Sequence, residues 1–133
     1  MTPFHPPRSS YSPTLVVDSN SAAANQLAEQ LNHSGFHADV ASNWPAAQAA
    51  ARARHYDAVV MVADLNQTLD LECLKHLRKC APSTWIIVVS SRPHSNPHQV
   101  VLQYGADSLL MAQFSVEELT YRLSAFSLRS RPH

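Results

Sequence analysis

The chain is short of glycine, of net charge and of long apolar runs, and each shortage excludes a class of function. Its 133 residues include two glycines, so it holds neither a G-x-G-x-x-G dinucleotide fingerprint nor a P-loop. Ten Lys and Arg residues balance ten Asp and Glu residues, which argues against nucleic acid or an anionic membrane as the main partner of this domain. No apolar run approaches the roughly 18 residues that span a membrane, and the first residues lack the apolar segment of a secretory signal.

Cysteine is scarce as well, with one pair in the whole chain. Cys73 and Cys80 fall in one predicted helix, where their Cα atoms would lie about 10 Å apart, too far for a disulfide. With His76 they bring soft ligands within two helical turns, but no fourth ligand is evident. We therefore expect packing and solvent contacts for these side chains, no metal site, and a reducing cytoplasmic location.

Short apolar runs alternate with amphipathic segments along the chain. Residues 1–13 are rich in proline and predict a disordered arm, residues 14–128 a folded domain and residues 129–133 a flexible tail. The runs TLVVD, HADVA, YDAVVMVADL, WIIVVS and SLLM predict five buried strands. Capping signals and 3.6-residue spacing predict five helices, with starts at Asn20 or Ser21, Ser42 or Asn43, Leu69, Asn96-Pro97 and Ser115. The glycines, Gly35 and Gly105, each follow a predicted helix. The alternation predicts an α/β fold in which helices cover both faces of a parallel sheet.

The order of these fragments resembles the receiver domain of bacterial two-component response regulators. The likeness spans residues 14 to about 128. It is carried by Leu15-Val16-Val17-Asp18, Tyr56-Asp57-Ala58-Val59-Val60-Met61, Leu71-Glu72-Cys73-Leu74-Lys75-His76-Leu77-Arg78, Ile86-Ile87-Val88-Val89-Ser90-Ser91, Gly105-Ala106-Asp107 and Phe114-Ser115-Val116-Glu117-Glu118-Leu119. The resemblance implies a doubly wound (βα)5 fold, flavodoxin-like, with strand order 2-1-3-4-5.

The resemblance also implies where a phosphoryl pocket would stand. In receivers an aspartate at the tip of strand three accepts the phosphoryl group, and a lysine after strand five contacts the phosphate. Counted back from Leu71, the acceptor position falls on Val62. Counted forward from Gly105, the lysine position falls on Ala112. Neither side chain can supply the chemistry that phosphoryl transfer requires.

The remaining pocket positions match the receiver pattern in part. Receivers carry two adjacent acids after strand one, which help to hold Mg²⁺, and here Asp18 is followed by Ser19. Ser90 matches the hydroxyl position after strand four, and Leu109 stands at the aromatic switch position of strand five. Because Mg²⁺ demands an octahedron of oxygens and gives up water reluctantly, one carboxylate makes a poor site. The pattern predicts a degenerate receiver with no catalytic residue, no enzyme activity and no cofactor.

Two alternatives stay open. Asp64 lies two residues beyond Val62 and would point to the same side if the strand were extended that far, so it could serve as phosphoacceptor with Mg²⁺. In that case Asp18 and Asp64 are the candidate metal ligands. The second alternative is a flavodoxin-like module that binds a small molecule at the strand ends.

A protein partner is the expected ligand of a receiver that no longer uses phosphate. The resemblance implies a contact surface built from helix four, strand five and helix five. In this chain that surface would include Val101, Leu102, Leu109, Leu110, Met111 and Tyr121. We expect a second copy of the chain, a histidine kinase or an effector domain as the partner, in bacterial signalling, with no nucleic acid and no membrane bound directly.

Overall fold

In the computed structural model, residues 13–127 are described. The strands are β1 (Pro13–Val17), β2 (His37–Ala41), β3 (Ala58–Ala63), β4 (Trp85–Ser90) and β5 (Ser108–Met111). The helices are α1 (Ser21–His33), α2 (Trp44–Ala53), α3 (Thr68–Cys80), α4 (Pro97–Gln103) and α5 (Val116–Ser127). The predicted arm and tail fall outside the described residues, apart from Pro13. The sequence places Pro13 in the arm, whereas in the structure it is the first residue of β1 and pairs with His37.

The five strands form one parallel sheet in the order β2-β1-β3-β4-β5, which confirms the predicted topology. All four strand pairs are parallel, so the carboxyl ends of the strands meet at one edge of the sheet. In the register of β3 and β4, Val62 pairs with Val89 and Ala63 with Ser90. The tips of these two central strands therefore lie side by side at the edge where open α/β sheets place ligands.

Two apolar layers cover the sheet, one on each face. Helices α2, α3 and α4 pack on one face, which β3 meets with Val59, Met61 and Ala63. Helices α1 and α5 pack on the other, and β3 contributes Val60 to that layer, with Val62 packed against it at the edge. This alternation follows from the two-residue repeat of a strand. Because helices cover both faces of the sheet, every residue of β3 is apolar.

Local capping signals located most of the helix starts. Asn20 and Asn43 accept hydrogen bonds from the amides of Ala23 and Ala46, as helix caps do. Ser115 accepts from the amide of Glu118 at 3.1 Å. The predicted helix start at Asn96-Pro97 is confirmed, since Asn96 stands at the cap position and Pro97 begins α4. The Asn96 side chain makes no capping bond, because its amide donates to Gln99 instead.

One polar connection joins α3 to the edge of the sheet at which the strands begin. Arg78 Nη2 lies 2.7 Å from Asp107 Oδ2, and both side chains are largely buried. The Arg78 Nε group donates to the carbonyl of Gly105 at 2.8 Å. Gly105 has φ +106, and a Cβ there would lie 2.8 Å from Arg78 Cγ. The Gly-Ala-Asp sequence is thus explained by this close approach as well as by the left-handed turn.

Candidate functional site at the strand ends

A cleft of about 440 Å³ opens at the carboxyl edge of the sheet, between the strand tips and α1. Asp18 follows β1, Val62 and Val89 belong to β3 and β4, and Ala112 follows β5. The rest of its lining comes from α1, the residue after β4 and the start of α5: Ala23, Gln26, Leu27, Gln30, Ser91, Phe114 and Val116. The cleft therefore stands where the resemblance puts a phosphoryl pocket.

Three of the sequence-predicted pocket residues line this cleft together. They are Asp18, Val62 and Ala112. Val62 is half-buried within β3, one residue before the strand ends, and belongs to the side of the sheet covered by α1 and α5. Ser19 is exposed and does not line the cleft. The wall at the tips of β3 and β5 is consequently aliphatic.

Asp18 supplies the charge in the cleft. Its Oδ1 atom accepts a hydrogen bond from the amide of Asn20 at 3.0 Å, and Asn20 in turn caps α1. No cation pairs with Asp18 among residues 13–127. The side chain is half-buried. One carboxylate oxygen of Asp18 is therefore engaged by the turn that starts α1, and the residue lines the cleft.

Asp64 takes a different position, in the loop after β3 and outside the cleft lining. Its Oδ1 atom accepts from the backbone amide of Asn66 at 3.0 Å and from the Asn66 side chain at 3.1 Å. Its Oδ2 atom lies 3.7 Å from Arg92 Nε. The bond from the Asn66 backbone is the main reason that the pKa of Asp64 lies below its usual value, and Arg92 adds to the effect. Asp64 is thus held as an ionised anchor of its own loop.

Ser90 points away from the cleft. It is buried, and its hydroxyl donates to the carbonyl of Arg92 at 2.8 Å. The next residue, Ser91, lines the cleft in its place. Sequence reasoning matched the hydroxyl by position and did not single out Ser91. The pleat could have suggested it, since neighbouring residues of a strand face opposite sides of a sheet.

The loops after β3 and β4 are joined to each other. The Asn66 side chain donates to the carbonyl of Pro93 at 3.0 Å, and Asp64 meets Arg92 across the same gap. With the bond from Ser90 to Arg92, these contacts form a loop clasp of Asp64, Asn66, Ser90, Arg92 and Pro93. Asp70 at the start of α3 accepts from the Asp64 amide at 2.8 Å and fixes the other side of the loop.

The predicted contact surface is narrower than expected. Val101, Leu109 and Leu110 are at most 5 % exposed and belong to the core, so assigning them to the surface was wrong. Both faces of β5 are covered, by α4 on one side and α5 on the other, and burial of these side chains follows. The exposed members of the set are Leu102 at 59 %, Met111 at 43 % and Tyr121 at 77 %. A further exposed apolar side chain, Leu69 at the start of α3, was not anticipated.

The other candidate sites bring no ligand set together. Within residues 13–127 no group of three or more His, Cys, Asp or Glu side chains could hold a metal ion. Cys73 is buried and His76 exposed, and burial raises the pKa of the Cys73 thiol. In the same described range, no helix combines the length and apolar character that crossing a membrane requires.

The family assignment rests on the match of nearly the whole described fold. The model of the response regulator receiver domain matches residues 14–124. The chain belongs to the response regulator receiver domain family. It is 28 % identical over 118 residues to the response regulator ArlR of Staphylococcus haemolyticus, covering 89 % of this chain and 53 % of the relative. The chain thus spans about half the length of the curated relatives it matches.

Solved receiver structures superpose closely on this fold. HP1043, described as an orphan response regulator of H. pylori, superposes with a TM-score of 0.76 at 26 % identity, over 92 % of this chain and 100 % of that one. The receiver domain of the Francisella response regulator 1452 superposes with a TM-score of 0.79 at 24 % identity, over 89 % of this chain and 98 % of the other. At 24 % identity, the likeness to the Francisella domain shows a shared fold.

Proposed function

We propose that this receiver domain acts in two-component signalling as a phosphorylation-independent protein-interaction module. The observation that carries the proposal is that Val62 and Ala112 both line the cleft together with Asp18. A valine has no oxygen to accept a phosphoryl group, and an alanine has no charge to neutralise one. A hard cation would meet one carboxylate in this cleft, where Mg²⁺ needs several oxygens in fixed geometry.

The loop clasp supports a single dominant conformation. Switching by phosphate requires a group that binds one conformation of these loops better than another. Here the Ser90 hydroxyl is already bonded to the Arg92 carbonyl, and Asn66 bridges to Pro93. The contacts that join the two loops are made from the chain's own side chains and need no added charge. Under this proposal the interaction surface is formed constitutively.

The exposed apolar residues on α4, β5 and α5 support a contact surface. Leu102, Met111 and Tyr121 stand on three neighbouring elements. Large exposed apolar and aromatic side chains are enriched at protein interfaces. We define these three residues as the apolar patch. The proposed partner is a second copy of the chain, and a histidine kinase or an effector domain is the alternative that the family suggests.

The competing function is phosphorylation at Asp64. One feature favours it, because Asp64 follows β3 directly and carries a carboxylate that can meet a metal ion. Against it stand its position outside the cleft and its engagement in the loop clasp. An incoming phosphoryl group would have to break the bonds from Asn66 before any gain from Mg²⁺ could be realised.

Amide NMR with Mg²⁺ and beryllofluoride separates the two functions. The expected result is an unchanged spectrum around Asp18, Asp64 and Ser90, together with no incorporation of phosphate from acetyl phosphate. Saturable shifts centred on Asp64 that disappear in an Asp64→Asn variant would overturn the proposal. The Asp64→Asn change retains an oxygen that can accept from Asn66, so it is a matched control for folding of the loop.

A further inference from the structure

We infer that the cleft binds a compact organic cation, an amine with an apolar body, in the place that a phosphoryl group would occupy in a switching receiver. The inference rests on the proposed function, because Mg²⁺ bound at Asp18 would compete for the same carboxylate. It goes further by assigning the cleft a ligand of its own. Shape, surface chemistry and charge each point to this class of molecule.

The shape and walls of the cleft suit a small organic body. Its volume of about 440 Å³ falls within the range of roughly 300–1,000 Å³ that small-molecule sites occupy. Leu27, Val62, Val89 and Val116 give it aliphatic walls from α1, β3, β4 and α5. A hydrated inorganic ion would meet mostly hydrocarbon on these walls. An apolar ligand would gain by leaving water against these walls.

The polar part of the cleft lining carries one charge. Asp18 is the ionisable side chain in its lining, and no cation from residues 13–127 neutralises it. Ser91 lies in the same lining. Gln26 and Gln30 stand four residues apart on α1, so they share one face of the helix and offer amide oxygens at the rim. The oxygens of these side chains can accept hydrogen bonds from an ammonium group, and the Asp18 carboxylate repels an anion.

Three probes of similar size and different charge test the inference. Phenethylamine, phenethyl alcohol and phenylacetate are titrated separately into the full chain and followed by amide NMR. Phenethylamine should give saturable shifts at Val62, Ser91 and Ala112 and bind about tenfold more tightly than the alcohol, because one charge-assisted hydrogen bond is gained. Phenylacetate should give no saturable shift at these residues.

Two variants test separately how the Asp18 charge and the volume of the cleft contribute to binding. Asp18→Asn should lower the affinity for phenethylamine to that for the alcohol and leave the alcohol unchanged. Ala112→Leu narrows the cleft at an exposed position and should weaken the amine and the alcohol alike. Dispersed spectra of both variants establish that they are folded.

The outcomes separate this inference from the proposed function. Equal affinities for the amine and the alcohol, or amine shifts centred away from the cleft, overturn the inference. Amine binding that Asp18→Asn leaves unchanged overturns it too. In each of these cases an unchanged spectrum with Mg²⁺ and beryllofluoride leaves the proposed function standing. Beryllofluoride shifts at Asp64 overturn the proposed function, whatever the amine does.

Discussion

Arg78 on α3 and Asp107 at the entry of β5 form an ion pair with a distance of 2.7 Å between Nη2 and Oδ2. The same Asp107 oxygen accepts from the amide of Ile86 at 2.9 Å, and Arg78 also donates to the carbonyl of Thr84 at 2.8 Å. The pair therefore joins the end of α3 to the beginnings of β4 and β5. It lies at the edge of the sheet opposite the cleft, where a contribution to stability can be measured apart from function.

Removal of this carboxylate should destabilise the fold strongly. Asp107→Ala leaves the largely buried guanidinium without its counter-charge and the Ile86 amide without its acceptor. We expect a loss of about 3 kcal/mol in the free energy of unfolding, measured by urea denaturation. Glu118→Ala is the control, because it removes the exposed pair with Arg122 and should cost less than about 1 kcal/mol. Equal losses in the two variants would contradict a special role for Asp107.

Stability should fall at high pH because of Tyr56. Its hydroxyl donates to Asp39 Oδ2 at 2.7 Å. Burial, with the neighbouring Asp39 carboxylate, raises the pKa of Tyr56 from 10.0 to about 12. A raised pKa means that the folded state holds the proton more tightly, so the stabilisation is complete below pH 10 and is lost as pH rises from there to about 12.

The loss attributable to Tyr56 should reach about 2–3 kcal/mol across that interval. Tyr56→Phe removes the titrating group, so the stability of that variant should fall less over the same pH range. The measurement is urea denaturation of both proteins at a series of pH values. Parallel pH profiles for the two proteins would show that Tyr56 does not titrate as expected.

The apolar patch should mediate weak self-association. Tyr121→Asp should shift the sedimentation equilibrium toward monomer, because a charge replaces an exposed aromatic ring within the patch. The melting temperature should change little, since the side chain is solvated in the monomer. Leu69→Asp changes an equally exposed apolar residue on α3 and should leave the association intact. A wild-type chain that stays monomeric at high concentration would rule out the homodimer.

A carboxylate at the tip of β3 should create a metal site. Val62→Asp places a second acid in the cleft with Asp18, and two carboxylates suit Mg²⁺ far better than one. The variant should be less stable than wild type without metal, since the two charges repel. Its melting temperature should rise by about 5 °C at a Mg²⁺ concentration ten times the Kd.

The matched control for that experiment is Val62→Asn. Asparagine has nearly the same shape as aspartate but no charge, so Mg²⁺ should leave the melting temperature of this variant unchanged. A response of the wild-type protein to Mg²⁺ as large as that of Val62→Asp would indicate that the native cleft already holds the ion, and would count against the proposed function.

Much of the architecture was predictable because its determinants are local. The bounds of β4 and β5 match the predicted runs WIIVVS and SLLM, since a parallel strand covered on both faces must be apolar throughout. Asn20 and Asn43 marked helix starts because a cap acts within three residues of itself. Gly35 and Gly105 both adopt positive φ after a helix, as predicted.

Other features needed the tertiary structure. Val101, Leu109 and Leu110 could be assigned to a surface from the sequence, because an apolar residue looks the same whether it faces a helix or a partner. The direction of the Ser90 hydroxyl and the clasp between Asn66 and Pro93 depend on residues far apart in sequence. No local pattern encodes where such loops meet.

The carboxyl ends of the strands show which features the sequence predicts and which depend on the tertiary structure. The sequence by itself predicted Val62 near the tip of β3 and Ala112 after β5, because apolar content is a property of short segments, but it left open a longer β3 that would bring Asp64 to the tip. The receiver resemblance already placed these side chains in one pocket with Asp18. Only the tertiary structure decided that Ser91 rather than Ser90 lines the cleft and that Asp64 anchors a loop outside it. The physical reason is that the packing of α1 and α5 against the sheet sets the shape of that cleft, and such packing joins side chains that are distant along the chain.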